Sequence, residues 1–271
     1  MTLSRPPKAA LRPFVELLWA SDGTEVSPSR SDRELVLPTG ALHVVFRLRE
    51  RPLRVFKDGD DALGDLVGCA VIGGARAGPY LRDVSQPAPS VGALLRPGAA
   101  ASIVGAPVAT FSNAHTRLDD VWGAAPVAEI GDRLNEASSA AARLEIFEAA
   151  LAARLPRLKG IEPLVAYALT RFGAARQVGA VVKECGYSHR HFTEVFSEAV
   201  GLAPKTYCRV LRFGRALERL TAEPGISWAD LAVAEGYADQ PHFTREFRAM
   251  AGLSPGSYRR LAPRAPRHVP L

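Results

Sequence analysis

Hydrophobic positions recur with period two through the first 120 residues and with a helical period after them. In Leu35–Leu48 (LVLPTGALHVVFRL), Leu42, Val44, Phe46 and Leu48 fall on one side, and His43, Val45 and Arg47 on the other. That is the pattern of a half-buried strand. Apolar runs at Leu53–Phe56, Val67–Ile72 and Val91–Leu95 follow, separated by the turn signals Asp58-Gly59, Gly73-Gly74, Gly78-Pro79 and Pro97-Gly98. Short strands at this spacing predict a small antiparallel sandwich or barrel. Val127–Leu134 and Ala140–Leu155 then read as helices, with Leu144, Phe147, Leu151 and Leu155 on one stripe. The break at Asn135–Ser139 makes them a hairpin, free to cover the β region, join it to the next domain or form a dimer contact. Pro156 ends the second helix. From Glu162 to Tyr258 everything reads as helix with short turns, and the Pro-, Arg- and His-containing residues 263–271 read as a disordered tail.

The helical region repeats itself. Val181–Tyr207 (VVKECGYSHRHFTEVFSEAVGLAPKTY) and Leu231–Tyr258 (LAVAEGYADQPHFTREFRAMAGLSPGSY) align with Gly186-Tyr187 on Gly236-Tyr237 and His191-Phe192-Thr193 on His242-Phe243-Thr244. Further along, Phe196, Gly201-Leu202, Pro204 and Tyr207 fall on Phe247, Gly252-Leu253, Pro255 and Tyr258. Each copy has a mechanical reading. An apolar helix (Val178–Cys185, or Trp228–Glu235) ends at a glycine suited to a left-handed turn. Tyr187 or Tyr237 plugs that turn, and Ser188 or Asp239 caps the next helix. This helix buries Phe192, Val195 and Phe196, or Phe243, Phe247 and Met250, and Pro204 or Pro255 opens another. The unit is a helix-turn-helix, used twice. One long helix, Pro204–Leu220, joins the copies and carries Arg209, Arg212, Arg215 and Arg219 as a basic stripe.

The motif Gly-Tyr-x-(3–4)-His-Phe-Thr-x-x-Phe-x-x-x-x-Gly-Leu-x-Pro-x-x-Tyr, used twice around a linker helix, resembles the DNA-binding domain of AraC/XylS transcription regulators, from about Glu162 to Leu261. The resemblance implies seven helices, with Ser188–Ala199 and Asp239–Met250 as recognition helices entering successive major-groove segments on one face of double-stranded DNA. It assigns DNA contacts to Ser188, His189, Arg190, Thr193 and Glu194 in the first, and to Gln240, Pro241 and Arg245 in the second. Arginine and glutamine match guanine and adenine edges. Glu194 is acidic where the family often has a basic or polar residue, and Pro241 has no side-chain donor. The segments Leu37–Phe46, Leu95–Pro107 and Leu118–Gly123 resemble, more loosely, a poorly characterised N-terminal domain of some of these regulators. In the wider family that position often holds a cup-like β domain that binds an effector or mediates dimerisation.

These readings give an α+β chain. Residues 1–155 form a β-rich sensor or dimerisation domain (small barrel or sandwich) with a helical hairpin at 126–155. Residues 160–262 form an all-α, seven-helix, double helix-turn-helix domain, and 263–271 a tail. Charge supports the division. Of the net +6, residues 156–271 hold 17 Lys+Arg against 10 Asp+Glu, while residues 1–155 hold 17 against 18. The excess positive charge therefore lies entirely in the half expected to meet a polyanion. No apolar stretch is long enough for a membrane helix, and no secretory signal opens the chain. Cys69, Cys185 and Cys208 are odd in number and widely spaced, as suits a reducing cytoplasm; redox sensing at Cys69 stays open beside a buried structural thiol.

Motifs for an enzyme are missing: no Gly-x-Ser-x-Gly, phosphate loop or dinucleotide fingerprint is present. His189 and His191 lie on different helix faces, so neither catalytic nor metal-binding residues are assigned, and no cofactor is expected. A pocket in the N-terminal half would draw its polar lining from His43 and Arg47, with Arg76 or Tyr80; the alternative is that His43 and Arg47 face water. The expected function is sequence-specific transcriptional regulation responding to a small effector. The alternative is a regulator without an effector, its N-terminal domain serving dimerisation or protein interaction. RNA polymerase is a further expected partner if the protein activates, and a homodimer stays open.

Overall fold

The computed structural model describes residues 2–23, 32–155, 160–263 and 265–271. Its N-terminal part is sheet-rich and its C-terminal part helical. The strands are β1 (Thr2–Arg5), β2 (Val15–Ser21), β3 (Arg33–Val36), β4 (His43–Arg47), β5 (Leu53–Phe56), β6 (Asp65–Gly68), β7 (Ala70–Gly73), β8 (Tyr80–Asp83), β9 (Ser90–Leu95) and β10 (His115–Arg117). A further strand, β11 (His268–Pro270), comes from the other end of the chain. Two antiparallel sheets result, in the orders β1-β2-β9-β4-β7-β10 and β11-β3-β8-β5-β6, and they face each other as a sandwich. The predicted run Val67–Ile72 is two strands, not one. Gly68, at φ 149°, breaks it, and the chain passes from the five-stranded to the six-stranded sheet.

The alternation seen in Leu42–Leu48 does what its apolar side suggests. Leu42, Val44, Phe46 and Leu48 are all at most 3% exposed. They share their face of the six-stranded sheet with Leu18, Ile72, Val91 and Ala93. The covering layer is helical: α1 (Ala100–Val104), α2 (Asp119–Trp122), α3 (Ala124–Glu136) and α4 (Ala140–Ala153). Ser139 caps α4 by accepting from the Ala142 N–H, and Phe147, fully buried, meets Phe46 edge-on at 5.7 Å. Of the three roles open to the hairpin, the structure gives it that of covering the sheet. Glu148, on the same helix, is 2% exposed and is held by Arg5 of β1 at 2.7 Å.

Seven helices make up the C-terminal part: α5 (Pro163–Gly173), α6 (Val178–Cys185), α7 (His189–Val200), α8 (Pro204–Ala222), α9 (Trp228–Ala234), α10 (Gln240–Ala251) and α11 (Pro255–Leu261). Their core does not stop at the helices. Leu35, Leu81 and Val269, on the outer face of the five-stranded sheet, belong to the same apolar cluster as Phe196, Val210 and Phe213. Among the described residues, no helix is long and apolar enough to cross a membrane.

The expected disordered tail is corrected by β11. His268, Val269 and Pro270 pair with Val36, Leu35 and Glu34. The Leu37 N–H donates to the Arg267 carbonyl at 2.8 Å, and the Arg267 guanidinium donates to the Pro38 carbonyl. Prolines suggested a chain unable to pair, but Pro263, Pro266 and Pro270 leave the Val269 side chain free to fill the outer face, where it is 0% exposed. Removing residues 263–271 is expected to lower unfolding stability by about 2–3 kcal/mol, the scale of one buried valine plus its ladder. Urea denaturation of the truncated and full chains checks this; a dangling tail would leave the midpoint unchanged.

Candidate functional site

Both helix-turn-helix units are built from the same local chemistry. Gly186 and Gly236, each at φ 73°, make the turns in the left-handed region. Ser188 Oγ accepts from the His191 N–H at 3.2 Å, and Asp239 Oδ1 from the His242 N–H at 2.6 Å, so both expected caps are formed. Phe192 and Phe196 pack against Phe172, and Phe243 and Phe247 against Trp228 and Phe213. The turn tyrosines differ. Tyr237 is 5% exposed and plugs its turn as expected, whereas Tyr187 is 52% exposed and lies against the His191 ring. What seats Tyr237 is Arg212, whose guanidinium stacks on it at 4.7 Å.

With their aromatic faces buried, α7 and α10 present the opposite faces to solvent. Ser188, His189, Arg190 and Glu194 are exposed on the first, and Gln240, Pro241 and Arg245 on the second; Thr193 is half-buried. Arg190 Nε donates to Glu194 Oε1 at 2.9 Å across one turn, with the two side chains 90% and 60% exposed. An exposed pair of this kind contributes only a few tenths of a kcal/mol, so Arg190 is readily released to a better partner. Among the described residues Arg245 has no ion-pair partner.

The basic stripe on α8 is not a free surface. Arg209 and Arg212 pair with Glu246 of α10 at 2.5 and 3.3 Å, and Arg215 and Arg219 with Glu235, just after α9, at 3.2 and 2.7 Å. Glu235 is 7% exposed. A carboxylate so enclosed needs these cations, since an unpaired buried charge is costly. The four arginines therefore fasten the second unit to the linker helix. Sequence spacing gave the stripe but not its partners, which lie 16 to 37 residues away.

The second constellation lies between the sheets. Strand register places Trp19, His43, Val45, Arg47, Leu94 and His115 on the inner face of the six-stranded sheet. Opposite them are Glu34, Tyr80, Arg82 and His268. The Tyr80 and His115 rings meet at 4.5 Å, Arg76 stacks on Tyr80 at 4.4 Å, and Arg82 Nε donates to Glu34 at 2.6 Å with His268 Nδ1 3.0 Å from the same oxygen. Unlike the helix-covered face, this one stays half-exposed at Trp19, His43, Val45, Arg47, Leu94, Tyr80, Arg82 and His115. The sheets thus enclose an open cleft in place of a packed sandwich core. All four residues proposed for a pocket, His43, Arg47, Arg76 and Tyr80, line it. Trp19, Glu34, Arg82, His115 and His268 do so too; they went unread because their strands are short or weakly patterned. Cys69 is free, and burial pushes its thiol up, away from the reactive thiolate.

Residues 181–261 match a family model described as a helix-turn-helix domain, and residues 4–117 one described as a domain of unknown function (DUF6597). The chain is similar to the HTH-type transcriptional regulator Rv1931c of Mycobacterium tuberculosis, with 33% identity over 33% of this chain and 34% of that one. It is also similar to the F1 operon positive regulatory protein of Yersinia pestis, with 36% identity over 30% and 27%. The chain thus spans about a third of the length of these curated relatives. Among solved structures, the C-terminal domain of AraT, a response regulator from Geobacillus stearothermophilus, aligns at 22% identity over 39% of this chain and 88% of that one, with a TM-score of 0.35. ToxT from Vibrio cholerae aligns at 8% identity over 95% and 97%, with a TM-score of 0.45.

The cleft has a pH signature. Burial, then the nearby charges of His268, Arg76 and Arg267, lowers His43 from 6.5 to about 4. Burial and then Arg76 lower His115 from 6.5 to about 3. Both rings are therefore neutral in the fold at pH values where the unfolded chain would protonate them. Their contribution to stability is complete above pH 6.5 and is lost as pH falls towards 4 and 3. The melting temperature should decline between pH 6.5 and 5, before carboxylates titrate, and His43→Gln or His115→Gln should flatten the decline; calorimetry across that range checks it, and an unchanged slope would exclude the mechanism.

Proposed function

We propose that the chain is a transcriptional regulator of the AraC/XylS type with an additional N-terminal domain, that it reads specific double-stranded DNA through α7 and α10, and that the cleft between its sheets holds a small effector. The observation that carries the DNA reading is the exposure of two like-built recognition faces at the ends of one helix. Arg190, Gln240 and Arg245 supply the donors for base edges. Ser188 and His189, at the start of α7, sit where backbone N–H groups favour a phosphate. Thr193 adds a hydroxyl and methyl, Glu194 orients Arg190, and Pro241 offers only apolar contact. The domain division at about residues 155–160 is part of the same proposal.

Two recognition helices on one linker should span neighbouring major grooves about 34 Å, or about 10 base pairs, apart. Nuclease protection is expected over about two turns, with affinity falling steeply as salt rises, because phosphate contacts release counterions. A single-groove footprint, or binding indifferent to salt, would defeat the two-helix reading. Arg190→Ala should relax base preference in one half-site at a cost of about 1–3 kcal/mol, and Arg245→Ala should act on the other. Arg212→Ala should change preference little, since its partners are Tyr237 and Glu246. Affinities for single-base-substituted sites separate these outcomes.

A further inference from the structure

Two pairs of glycines hold equivalent places in the repeats, and their surroundings differ. Gly186 and Gly236, which make the turns, have open space where a Cβ would stand. Gly201 and Gly252, which end α7 and α10 at φ 85° and 71°, have close neighbours there. A Cβ on Gly201 would lie 3.1 Å from Val108 Cγ1, 3.2 Å from Ser112 Oγ and 3.3 Å from Ala75 Cβ. One on Gly252 would lie 3.2 Å from Pro79 Cγ. Ala75 and Pro79 belong to the same short loop, residues 74–79, between β7 and β8. The ends of both recognition helices therefore rest on one loop of the β part.

The loop is anchored on residues 111–114. The Gly74 N–H donates to the Ala114 carbonyl at 2.9 Å, and the Ala75 carbonyl accepts from the Asn113 N–H at 3.0 Å. At Gly74 the backbones approach so closely that a Cβ would fall 1.6 Å from the Phe111 carbonyl oxygen. Arg76 adds a bond to the Ala114 carbonyl at 3.2 Å and stacks on Tyr80. Ala75 is fully buried in the apolar cluster shared with the helices, and the ring of Pro79 fixes its φ. The anchoring segment also supplies Ser112, whose Oγ donates to the Gly201 carbonyl at 2.5 Å.

Neighbouring major-groove segments lie about 34 Å apart, and one base pair is about 3.4 Å of that distance. A protein that reads two of them must hold its helices to within such a step. Contacts along α8 fasten each unit to the rod separately: Tyr207 meets Phe196 of the first, and the arginines meet Glu235 and Glu246 of the second. A further support that touches both units closes α7, α8, α10 and the loop into a ring. Such a ring opposes bending of either unit away from the other.

Resting on the DNA reading above, we propose that the loop at residues 74–79 is a brace that fixes the distance between the recognition helices, with Ala75, Pro79 and Ser112 as positioning residues for half-site spacing. None of the three lies on α7 or α10.

The test uses the full chain and a DNA duplex that it selects from a random-sequence pool. That duplex is remade with one base pair removed, or with one or two added, between its half-sites, and binding is read by fluorescence anisotropy. The unmodified chain should lose at least about tenfold in affinity at each altered spacing, since one recognition helix then meets the wrong bases. Ser112→Ala removes the bond to Gly201, and Pro79→Ala the contact with Gly252. Each should bind the selected duplex within about threefold of the unmodified chain and reduce the spacing penalty to about that factor. Gly201→Ala and Gly252→Ala, which push the helix ends off the loop, should flatten the profile in the same way. Gly186→Ala and Gly236→Ala carry the same left-handed backbone strain with nothing to push against, and should leave its shape unchanged. Should the glycine variants fail to fold, Ser112→Ala and Pro79→Ala carry the comparison, because they sit outside the helical half.

Loss of stability alone lowers affinity at every spacing alike, so the shape of the profile separates positioning from folding. A profile in Ser112→Ala and Pro79→Ala parallel to that of the unmodified chain overturns the brace and leaves the DNA reading standing. Indifference of the unmodified chain to spacing overturns the brace as well. Failure to select any duplex overturns the DNA reading itself, and the brace with it.

Discussion

Two carboxylates, the buried Glu235 and the half-buried Glu246, hold the two helix-turn-helix units in register. Each is reached by two arginines of α8. Because the carboxylates belong to the second helix-turn-helix and the arginines to the linker, neither group can keep its charges satisfied if the unit rotates on the helix. The first unit is fixed from the other end of α8, where Tyr207 packs edge-on against Phe196 at 5.6 Å. A helix of 19 residues is about 28 Å long, the scale of one DNA turn. Mutual orientation of α7 and α10 thus follows from side-chain pairing along a single rigid rod.

The same pairing changes what the net charge means. Residues 156–271 carry a surplus of cations, yet the four arginines that look most like a DNA-binding stripe face Glu235 and Glu246. The cations left without a buried carboxylate include Arg190, at the start of α7, and Arg245 on α10, both exposed. Counting charges locates the half of the chain with surplus cations; only the fold shows which of them are spent internally.

Legibility followed the strength of each local signal. The repeat was readable down to its caps because turn glycines, Ser188 and Asp239 act within a few residues of themselves. Strand β4 was readable because its apolar side is wholly buried. Strands β2 and β8 were not: β2 is interrupted by a bulge between Val15 and Leu17, and β8 (Tyr80–Asp83) turns polar residues towards the cleft. Tyr187 and Tyr237 occupy equivalent places in the repeat, but one is buried and the other exposed, because only the second has Arg212 above it. The cleft candidates His43 and Arg47 were found from the polar side of one strand. Their neighbours Arg82, His115 and His268 come from strands of three or four residues, too short to show a period.

Strand β11 makes the two halves mechanically continuous. It follows α11 directly in the chain, and the Tyr258 hydroxyl of α11 donates to the Pro266 carbonyl at 2.8 Å. One face of the strand gives Val269 to the apolar cluster shared with the helices; the other gives His268 to the Glu34–Arg82 group in the cleft wall. A second contact lies at the far end of α7, where Ser112 Oγ donates to the Gly201 carbonyl at 2.5 Å. Gly201, at φ 85°, has Val108, Ser112 and Ala75 close to where a Cβ would stand. The glycine that ends the first recognition helix is therefore also the point at which that helix rests on the β part. Gly201 ends α7, whereas β11 follows α11, so the β part meets the helical part beside one exposed helix face and at the helix that comes after the other.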